Sequence, residues 1–296
     1  MTTPEARYDQ LTDRAEALYS EGRQREALAL FEPVDAELEP WRAELAHLKA
    51  CLLGSVGETD AALRVLEEAS ALGAWWQESI LTEDDDLATL QALPGFRRVV
   101  ALSRERRVVD PTPPVLQVPV GEATGVLVAL HGAGQRATHA ARDWAGVVGL
   151  GYALLCVESS QLMSPMYRTW PDREYAAQDI ARGLAALPED LRGLPVIAAG
   201  FSAGGRTALD WALTAHPEPA AGVVVLAPAL RELPAEASTA LVPATVLIGS
   251  EDELLEVVEA AGPQLSALGL TVERLPGLGH EFPADFAARL AVVLRG

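Results

Sequence analysis

Residues 195–213 read PVIAAGFSAGGRTALDWAL, and they give the strongest indication of how the second half of the chain folds. It passes from a short apolar strand into a helix across Gly200-Phe201-Ser202-Ala203-Gly204. So sharp a turn strains the serine backbone and crowds its neighbours, which requires glycine two positions to either side. The pattern predicts a serine held at a strand-to-helix turn, and a glycine-rich turn with a solvated serine is the alternative.

A serine hydroxyl is a nucleophile at neutral pH only if a histidine takes its proton and an acid orients that histidine. His280 alone follows the last predicted strand, and a surface loop histidine is the alternative there. His216 lies too close to the turn and is expected near the C-terminus of the helix that the serine opens. Glu251, Asp252 and Glu253 follow another predicted strand, where the active-site loops of open α/β sheets collect. Any of the three could be the acid that orients the histidine. The alternative role for each is that of a solvated acid that complements a helix dipole.

Together with the run HGAG at residues 131–134, which follows an earlier strand, these segments resemble the α/β-hydrolase family in order and spacing. The resemblance covers about residues 112–296 and implies a serine hydrolase with Ser202, Asp252 and His280 as its catalytic triad. The chain has no evident large cap and is similar to the phospholipase/carboxylesterase and dienelactone-hydrolase branch. Its nucleophile is a serine and not the cysteine of dienelactone hydrolases, so the resemblance does not extend to their lactone substrate.

The same resemblance implies two backbone N–H donors for the oxyanion of a tetrahedral intermediate. One is the N–H of Ala203, the residue after the nucleophile. The other comes from the loop after the preceding strand, where Ala133 is the first choice and Gly134 the alternative. His131 opens this loop and is expected to brace it rather than to act as a base.

Beyond Pro111, short apolar runs alternate with stretches of helical spacing. Continuous apolarity is required of a parallel strand that is buried on both faces. We therefore predict an α/β-hydrolase domain over residues 108–296, with a mostly parallel sheet and helices on both faces. Strands are predicted at residues 125–130, 152–157, 196–199, 222–226, 244–248 and 271–275, after a strand-like run at 115–120, and helices at 173–187 and 204–215.

The first part of the chain shows only helical periodicity, in residues 15–31 and again in residues 45–66. The two stretches are similar to each other when Gly22 is placed on Gly57, a period of 35 residues. This segment resembles the tetratricopeptide family, whose repeat is a helix–turn–helix of about 34 residues. We predict a small all-α tetratricopeptide-like domain over residues 1–107, in which residues 75–101 cap the stack or dock on the next domain.

Composition excludes several classes of function. The chain of 296 residues has a formal net charge of −19 and no block of Lys or Arg, so nucleic acid is not expected as a partner. The N-terminal residues do not resemble a leader peptide, and no apolar run reaches the roughly 18 residues of a membrane span, so a cytoplasmic protein is expected. Cys51 and Cys156 form neither a disulfide framework nor a metal cluster and are expected to be small core residues. No metal or organic cofactor is implied.

A substrate pocket is expected from the stretch ESSQLMSPMYRTWPD at residues 158–172. Met166, Tyr167 and Trp170 are candidates to line it, and Arg168 is a candidate to meet an anionic group. A loop that packs its own aromatic residues fits the pattern equally well.

The function that these residues predict is cleavage of a small-molecule carboxylic ester through an acyl-enzyme. A thioesterase or a peptidase would use the same triad. A different class is an interaction module, in which the helical repeats bind a protein partner and the hydrolase domain is a scaffold. A competent residue at every catalytic position favours the enzyme. The sequence leaves open the oligomeric state and whether the helical domain is a lid, a dimer interface or an adaptor.

Overall fold

The structure, a computed structural model, describes residues 3–32, 36–106, 111–238 and 240–295. The chain divides into two compact units. The first comprises the residues up to 109 together with Leu162–Tyr167, and the second comprises Asp110–Gln161 and Arg168–Gly296. The predicted boundary near residue 108 falls within 107–110, outside the described residues. Residues 162–167, which lie within the second domain as predicted, are grouped with the first unit.

Helices make up most of the described part of the first unit. They are α1 (Pro4–Ser20), α2 (Gln24–Ala29), α3 (Arg42–Ser55), α4 (Thr59–Ala71), α5 (Glu78–Thr82) and α6 (Pro94–Arg106), with 3₁₀ turns at Ala36–Trp41 and Asp85–Leu90. Gly22 and Gly57, which the repeat superposes, have φ of 73° and 80° in the turns after α1 and α3. Such backbone conformations favour glycine. Two helix–turn–helix pairs therefore occur at the repeat, while tetratricopeptide membership stays a prediction.

The six-residue segment of the first unit that comes from later in the chain is held by a buried carboxylate. Glu44 on α3 accepts from Ser164 Oγ at 2.5 Å and from Met166 N at 2.8 Å. Gln77 N donates to Met163 O at 2.6 Å. These contacts join residues more than 80 positions apart, so no local pattern could have predicted them.

Seven strands form one sheet in the described part of the second unit. They are β1 (Val115–Gln117), β2 (Gly125–Leu130), β3 (Tyr152–Val157), β4 (Val196–Phe201), β5 (Gly222–Leu226), β6 (Ala244–Gly249) and β7 (Thr271–Leu275). Their order is β1-β3-β2-β4-β5-β6-β7, and only β1 is antiparallel to its neighbour. Every residue of β2 and β5 is buried, as strands covered on both faces must be. The predicted mostly parallel sheet is confirmed.

The helices of the second unit pack on both faces of this sheet. They are α7 (Ala137–Asp143), α8 (Arg173–Ala185), α9 (Ser202–Thr214), α10 (Leu255–Ala267) and α11 (Phe286–Val293), with 3₁₀ turns at Ala145–Leu150 and Glu189–Leu191. One apolar core contains the central strands together with the buried faces of these helices. The fold is that of an α/β-hydrolase, preceded in the chain by a helical region.

The strand order determines where loops can meet. β2 lies between β3 and β4, so the chain leaves β2 toward one side of the sheet and leaves β4 toward the other. Leu130, the last residue of β2, is in register with Gly200 of β4, and Phe201 is in register with Leu226 of β5. Ligands of open α/β sheets bind at such a switch point, outside the carboxyl ends of the strands.

Candidate active site

Ser202 lies at the end of β4 in a strained backbone conformation. Its φ is 52°, a left-handed value that few residues other than glycine adopt, and it is the first residue of α9. A Cβ on Gly200 would lie 2.4 Å from Gly204 O, and a Cβ on Gly204 would lie 2.3 Å from Leu130 O and His131 O. These separations are too short for a real Cβ contact. Both positions therefore require glycine, as expected for this turn.

His280 and Asp252 form a pair at the ends of β6 and β7. His280 Nδ1 lies 3.1 Å from Asp252 Oδ1 and 3.0 Å from Oδ2. Since an ionised carboxylate only accepts, Nδ1 carries the proton and Nε2 is the acceptor. The Asp252 side chain is fully buried and also accepts from Leu254 N at 2.8 Å, whereas Glu251 and Glu253 are exposed. Of the three candidate carboxylates, Asp252 is the one that contacts the histidine.

Backbone hydrogen bonds join the two loops that carry this pair. Ser250 N donates to Leu275 O at 2.9 Å, and Glu251 N donates to Leu278 O at 2.9 Å. A Cβ on Gly249, at the end of β6, would lie 2.2 Å from Leu278 O. The two loops thus pack backbone to backbone, which restricts movement of the acid relative to the histidine.

An aromatic contact connects the serine turn to the histidine. The ring of Phe201, the residue before Ser202, has its centroid 4.8 Å from that of His280 and 4.9 Å from that of Phe282. Among the described residues, no hydrogen bond joins Ser202 Oγ to His280 Nε2. Catalytic hydrogen bonds are often long without substrate and tighten when it binds. The serine–histidine hydrogen bond therefore stays a prediction.

The backbone N–H groups of residues 132–134, in the loop after β2, differ in whether they already donate a hydrogen bond within the protein. Gly132 N donates to a glutamine side chain of the same loop at 3.0 Å, and Gly134 N donates to Arg168 O at 2.9 Å. Ala133 is exposed, and its N–H has no acceptor among the described residues. Ala203 lies in the first turn of α9, where N–H groups have no partner within the helix. These contacts favour Ala133 over Gly134 as the second donor.

His131 braces this loop. Its Nδ1 donates to Gly132 O at 2.7 Å, and its Nε2 accepts from Ser159 N at 3.2 Å. Trp170 Nε1 donates to His131 O at 2.8 Å, and the two ring centroids are 5.0 Å apart. Burial lowers the pKa of His131 to about 4, so its ring is neutral at pH 7. Both ring nitrogens are engaged, which suits a structural role.

The three residues predicted to line the substrate pocket belong to different units. Met166 and Tyr167 belong to the first unit, where Met166 N contacts the Glu44 carboxylate. Trp170 belongs to the second unit, is buried, and packs on the oxyanion loop. The chain passes from one unit to the other between Tyr167 and Arg168, and a pocket lined by all three residues stays a prediction.

Arg168, predicted to meet an anionic substrate group, is engaged with the protein. It is buried, with its Nε 3.2 Å from Glu158 Oε1. The same carboxylate accepts from Arg136 Nε and from Ala137 N, each at 2.5 Å. Arg168 Nη1 also donates to Ser159 O at 2.7 Å. This guanidinium therefore supports the loops after β2 and β3.

In the described part of the chain, one group of side chains has the composition of a metal site. His47 and Cys51 on α3 lie with Asp84, and their ligand atoms are within 4.8 Å of one another. Cys51 Sγ donates to Asp84 Oδ2 at 3.2 Å, and His47 Nε2 lies 3.2 Å from Ile80 O. The group belongs to the first unit, and no sequence motif indicates it because Asp84 is far from α3 in the chain. Burial raises the pKa of the Cys51 and Cys156 thiols.

Comparison with known proteins supports the fold. No curated protein matches this chain. A family model described as "A/B hydrolase-like, N-terminal domain" matches residues 7–109. An uncharacterized protein from Bacillus cereus ATCC 10987 is similar in structure, with 23% identity and a TM-score of 0.50 over 97% of this chain and 98% of that chain. Esterase PE8 is similar over 62% of this chain and 97% of its own, with 21% identity and a TM-score of 0.50.

The family match therefore falls on the helical unit, and esterase PE8 matches a share of the chain close to that of the second unit. None of the described helices combines the length and apolar character needed to cross a bilayer. Together with the sheet order, these matches identify an α/β-hydrolase fold with a helical N-terminal region.

Proposed function

We propose that this protein is a serine hydrolase that cleaves a carboxylic ester through Ser202, His280 and Asp252. The observation that carries the proposal is the fully buried Asp252 carboxylate, 3.0 Å from His280 Nδ1, next to a strained serine turn. A buried acid that orients a histidine near a serine is the arrangement that activates a serine hydroxyl.

In the proposed mechanism, His280 Nε2 takes the Ser202 proton as Oγ attacks the ester carbonyl carbon. The N–H groups of Ala203 and Ala133 donate to the oxyanion, and His280 then returns the proton to the leaving alcohol. Water, deprotonated by the same ring, attacks the acyl-enzyme and releases the carboxylic acid. Asp252 holds the ring and stabilises its positive charge in both halves of the reaction.

An enzyme is favoured over a scaffold that only binds a protein partner. A scaffold has no need for a buried carboxylate against a histidine, since burying a charge costs free energy unless it is paired. The kind of bond cleaved is a separate question, because ester, thioester and amide differ in their leaving group and the triad alone does not select among them. Cleavage of p-nitrophenyl esters without cleavage of p-nitroanilides would support the esterase, and the reverse would indicate a peptidase.

The cytoplasm is the proposed compartment, since both cysteines are free thiols.

The test is to label wild type and Ser202→Ala with a fluorescent fluorophosphonate and to assay short p-nitrophenyl esters in parallel. We expect labelling and turnover in wild type and neither in the variant. A folded wild type that neither labels nor hydrolyses any ester would overturn the proposal and favour the interaction module.

A second experiment tests the identity of the acid. Asp252→Asn leaves Nδ1 facing an amide that stabilises the wrong tautomer, and we expect kcat to fall by on the order of 10³- to 10⁴-fold. Glu251→Gln and Glu253→Gln are matched controls in the same loop and should retain nearly full activity. A larger loss in either control than in Asp252→Asn would contradict the assignment.

A further inference from the structure

A cavity of about 660 Å³ lies beside the serine turn in the second unit. Its walls are the first half of α8, one face of α9 and residues 230–235, which follow β5. Arg206 faces it from α9, four residues after Ser202, so their Cα atoms are about 6 Å apart along the helix. Ala229 N donates to Ser202 O at 3.1 Å, so the wall formed by residues 230–235 also starts next to the serine turn. Neither Ser202 nor His280 lines the cavity, so it neighbours these two residues and does not contain them.

Three guanidinium groups line this cavity. Arg173 pairs with Asp210. Arg206 is half-buried and its Nη2 donates to Trp170 O at 2.5 Å. Among the described residues, no carboxylate forms an ion pair with Arg206 or with Arg231. The half-buried Arg206 and the exposed Arg231 therefore line the cavity without an ion-pair partner in the described part of the chain.

No acidic residue of the walls forms an ion pair with Arg206 in the part of the chain that the structure describes. Glu174 lies 3.5 Å from His216, and Asp210 is occupied by its arginine partner. Glu232 is the remaining acid of the lining and is exposed. The lining as a whole has three arginines and three acids, so its formal charge is zero with His216 neutral, and the positive charge is local to the Arg206 guanidinium, with which no described carboxylate forms an ion pair.

The surroundings of Arg206 act on its pKa. Burial is the main cause that lowers the pKa of Arg206 to about 10, and repulsion from the neighbouring Arg231 lowers it further, while Arg206 stays protonated at neutral pH. An anion placed there would relieve this repulsion. The rest of the lining includes the apolar side chains of Ile180, Leu230 and Leu233, which suit a methylene chain.

From this geometry we infer that the cavity binds the far end of the acyl chain, and that the substrate is an ester whose acyl chain ends in a carboxylate. The inference rests on the proposed acyl-enzyme, because the acyl group stays attached to Ser202 Oγ while Arg206 lies one turn further along the same helix. Guanidinium groups bind carboxylates through paired, charge-assisted hydrogen bonds. Arg206 and Arg231 are then substrate-binding residues.

The experiment compares p-nitrophenyl hemiesters of succinate, glutarate and adipate with neutral p-nitrophenyl esters of matched length. In each case water and the ester give the free acid and p-nitrophenol through an acyl group on Ser202. The readout is the ratio of kcat/KM for hemiester to neutral ester, which cancels general losses. We expect at least one hemiester to be preferred, and the ratio to fall about tenfold or more in Arg231→Gln and in Arg206→Gln. Arg274→Gln, an exposed arginine on β7, is the matched control and should keep the wild-type ratio.

Calorimetry with glutarate and with inorganic phosphate separates failure of this inference from failure of the proposed function. If wild type hydrolyses neutral esters but all four proteins have the same ratio and glutarate does not bind, the inference alone is overturned. If no ester is hydrolysed, the proposed function fails, and glutarate binding that is lost in Arg231→Gln still supports the anion site. Binding of phosphate without glutarate would overturn the carboxylate assignment.

Discussion

At the scale of single residues, two helix glycines differ in what surrounds them. A Cβ on Gly204 would lie 2.3 Å from Leu130 O, while nothing lies within 4 Å of a Cβ on Gly262 in α10. We expect Gly204→Ala to displace the serine turn, which lowers the thermal unfolding midpoint and abolishes ester turnover. Gly262→Ala should be neutral or stabilising by up to about 1 kcal/mol, because alanine is the better helix former. Calorimetric unfolding and ester assays on both variants check this, and equal effects would contradict the crowding argument.

His131 makes stability depend on pH in a defined direction. Burial lowers its pKa in the folded protein to about 4, against about 6.5 when unfolded. Between these values the unfolded chain binds more protons, so this contribution to the free energy of unfolding is fully present above pH 6.5 and is lost as pH falls toward 4. The full difference is about 3 kcal/mol.

The measurement is urea unfolding of wild type and His131→Gln, followed by tryptophan fluorescence, at several values between about pH 7.5 and about pH 4.5. Other groups titrate in both proteins, so the prediction concerns the difference between them. Wild type should lose more stability than the variant as the solution is acidified. Parallel curves would show that His131 is not a neutral, buried brace.

The site residues that could be predicted from sequence are those fixed by backbone geometry. Gly200, Ser202 and Gly204 follow from the shape of one turn, and a turn is a local feature. Asp252 could be chosen over its neighbours only through family resemblance, because burial separates them and burial is not local. Arg206 escaped prediction for the same reason, since its lack of a carboxylate partner depends on side chains from two other segments.

At the scale of elements, the segment Leu162–Tyr167 depends on one carboxylate of α3. Glu44→Ala would leave the Ser164 hydroxyl and the Met166 N–H without their acceptor, which costs about 2 kcal/mol. We expect faster hydrogen exchange in peptides that cover residues 162–167 and a lower thermal midpoint. Glu44→Gln retains an acceptor oxygen and should have a smaller effect.

Glu68→Ala is the matched control for this experiment. Glu68 lies on α4 of the same unit and is exposed, and its side chain makes no hydrogen bond or ion pair with the described residues. Its substitution should leave exchange over residues 162–167 unchanged. Equal acceleration in both alanine variants would mean that the segment is not held by Glu44.

The elements themselves were largely predictable, and the exceptions have physical causes. Strands such as β2 and β5 are continuous apolar runs, because parallel strands are covered on both faces. β1 is shorter than its apolar run, which agrees with the proline at position 119, since proline has no N–H to donate to a neighbouring strand. The strand order and the antiparallel pairing of β1 with β3 depend on contacts between distant segments, which periodicity does not contain.

At the scale of the whole molecule, the excess of acidic residues opposes folding. A net charge of −19 repels itself more strongly in the compact state than in the unfolded chain. Raising NaCl from about 10 mM to about 150 mM shortens the Debye length from about 30 Å to about 8 Å, which screens this repulsion. The same salt weakens exposed ion pairs such as Arg274–Glu259, but each of those contributes less than about 1 kcal/mol.

We therefore expect the thermal midpoint at pH 7 to rise by a few degrees over this range of salt, since each kcal/mol corresponds to about 2–4 °C in a protein of this size. KCl at equal ionic strength should give the same shift, because screening does not depend on the identity of the cation. A shift with one salt only would indicate specific ion binding. A midpoint that falls with salt would mean that surface ion pairs outweigh the net repulsion, and that the acidic residues lie close enough to arginines to stabilise the fold.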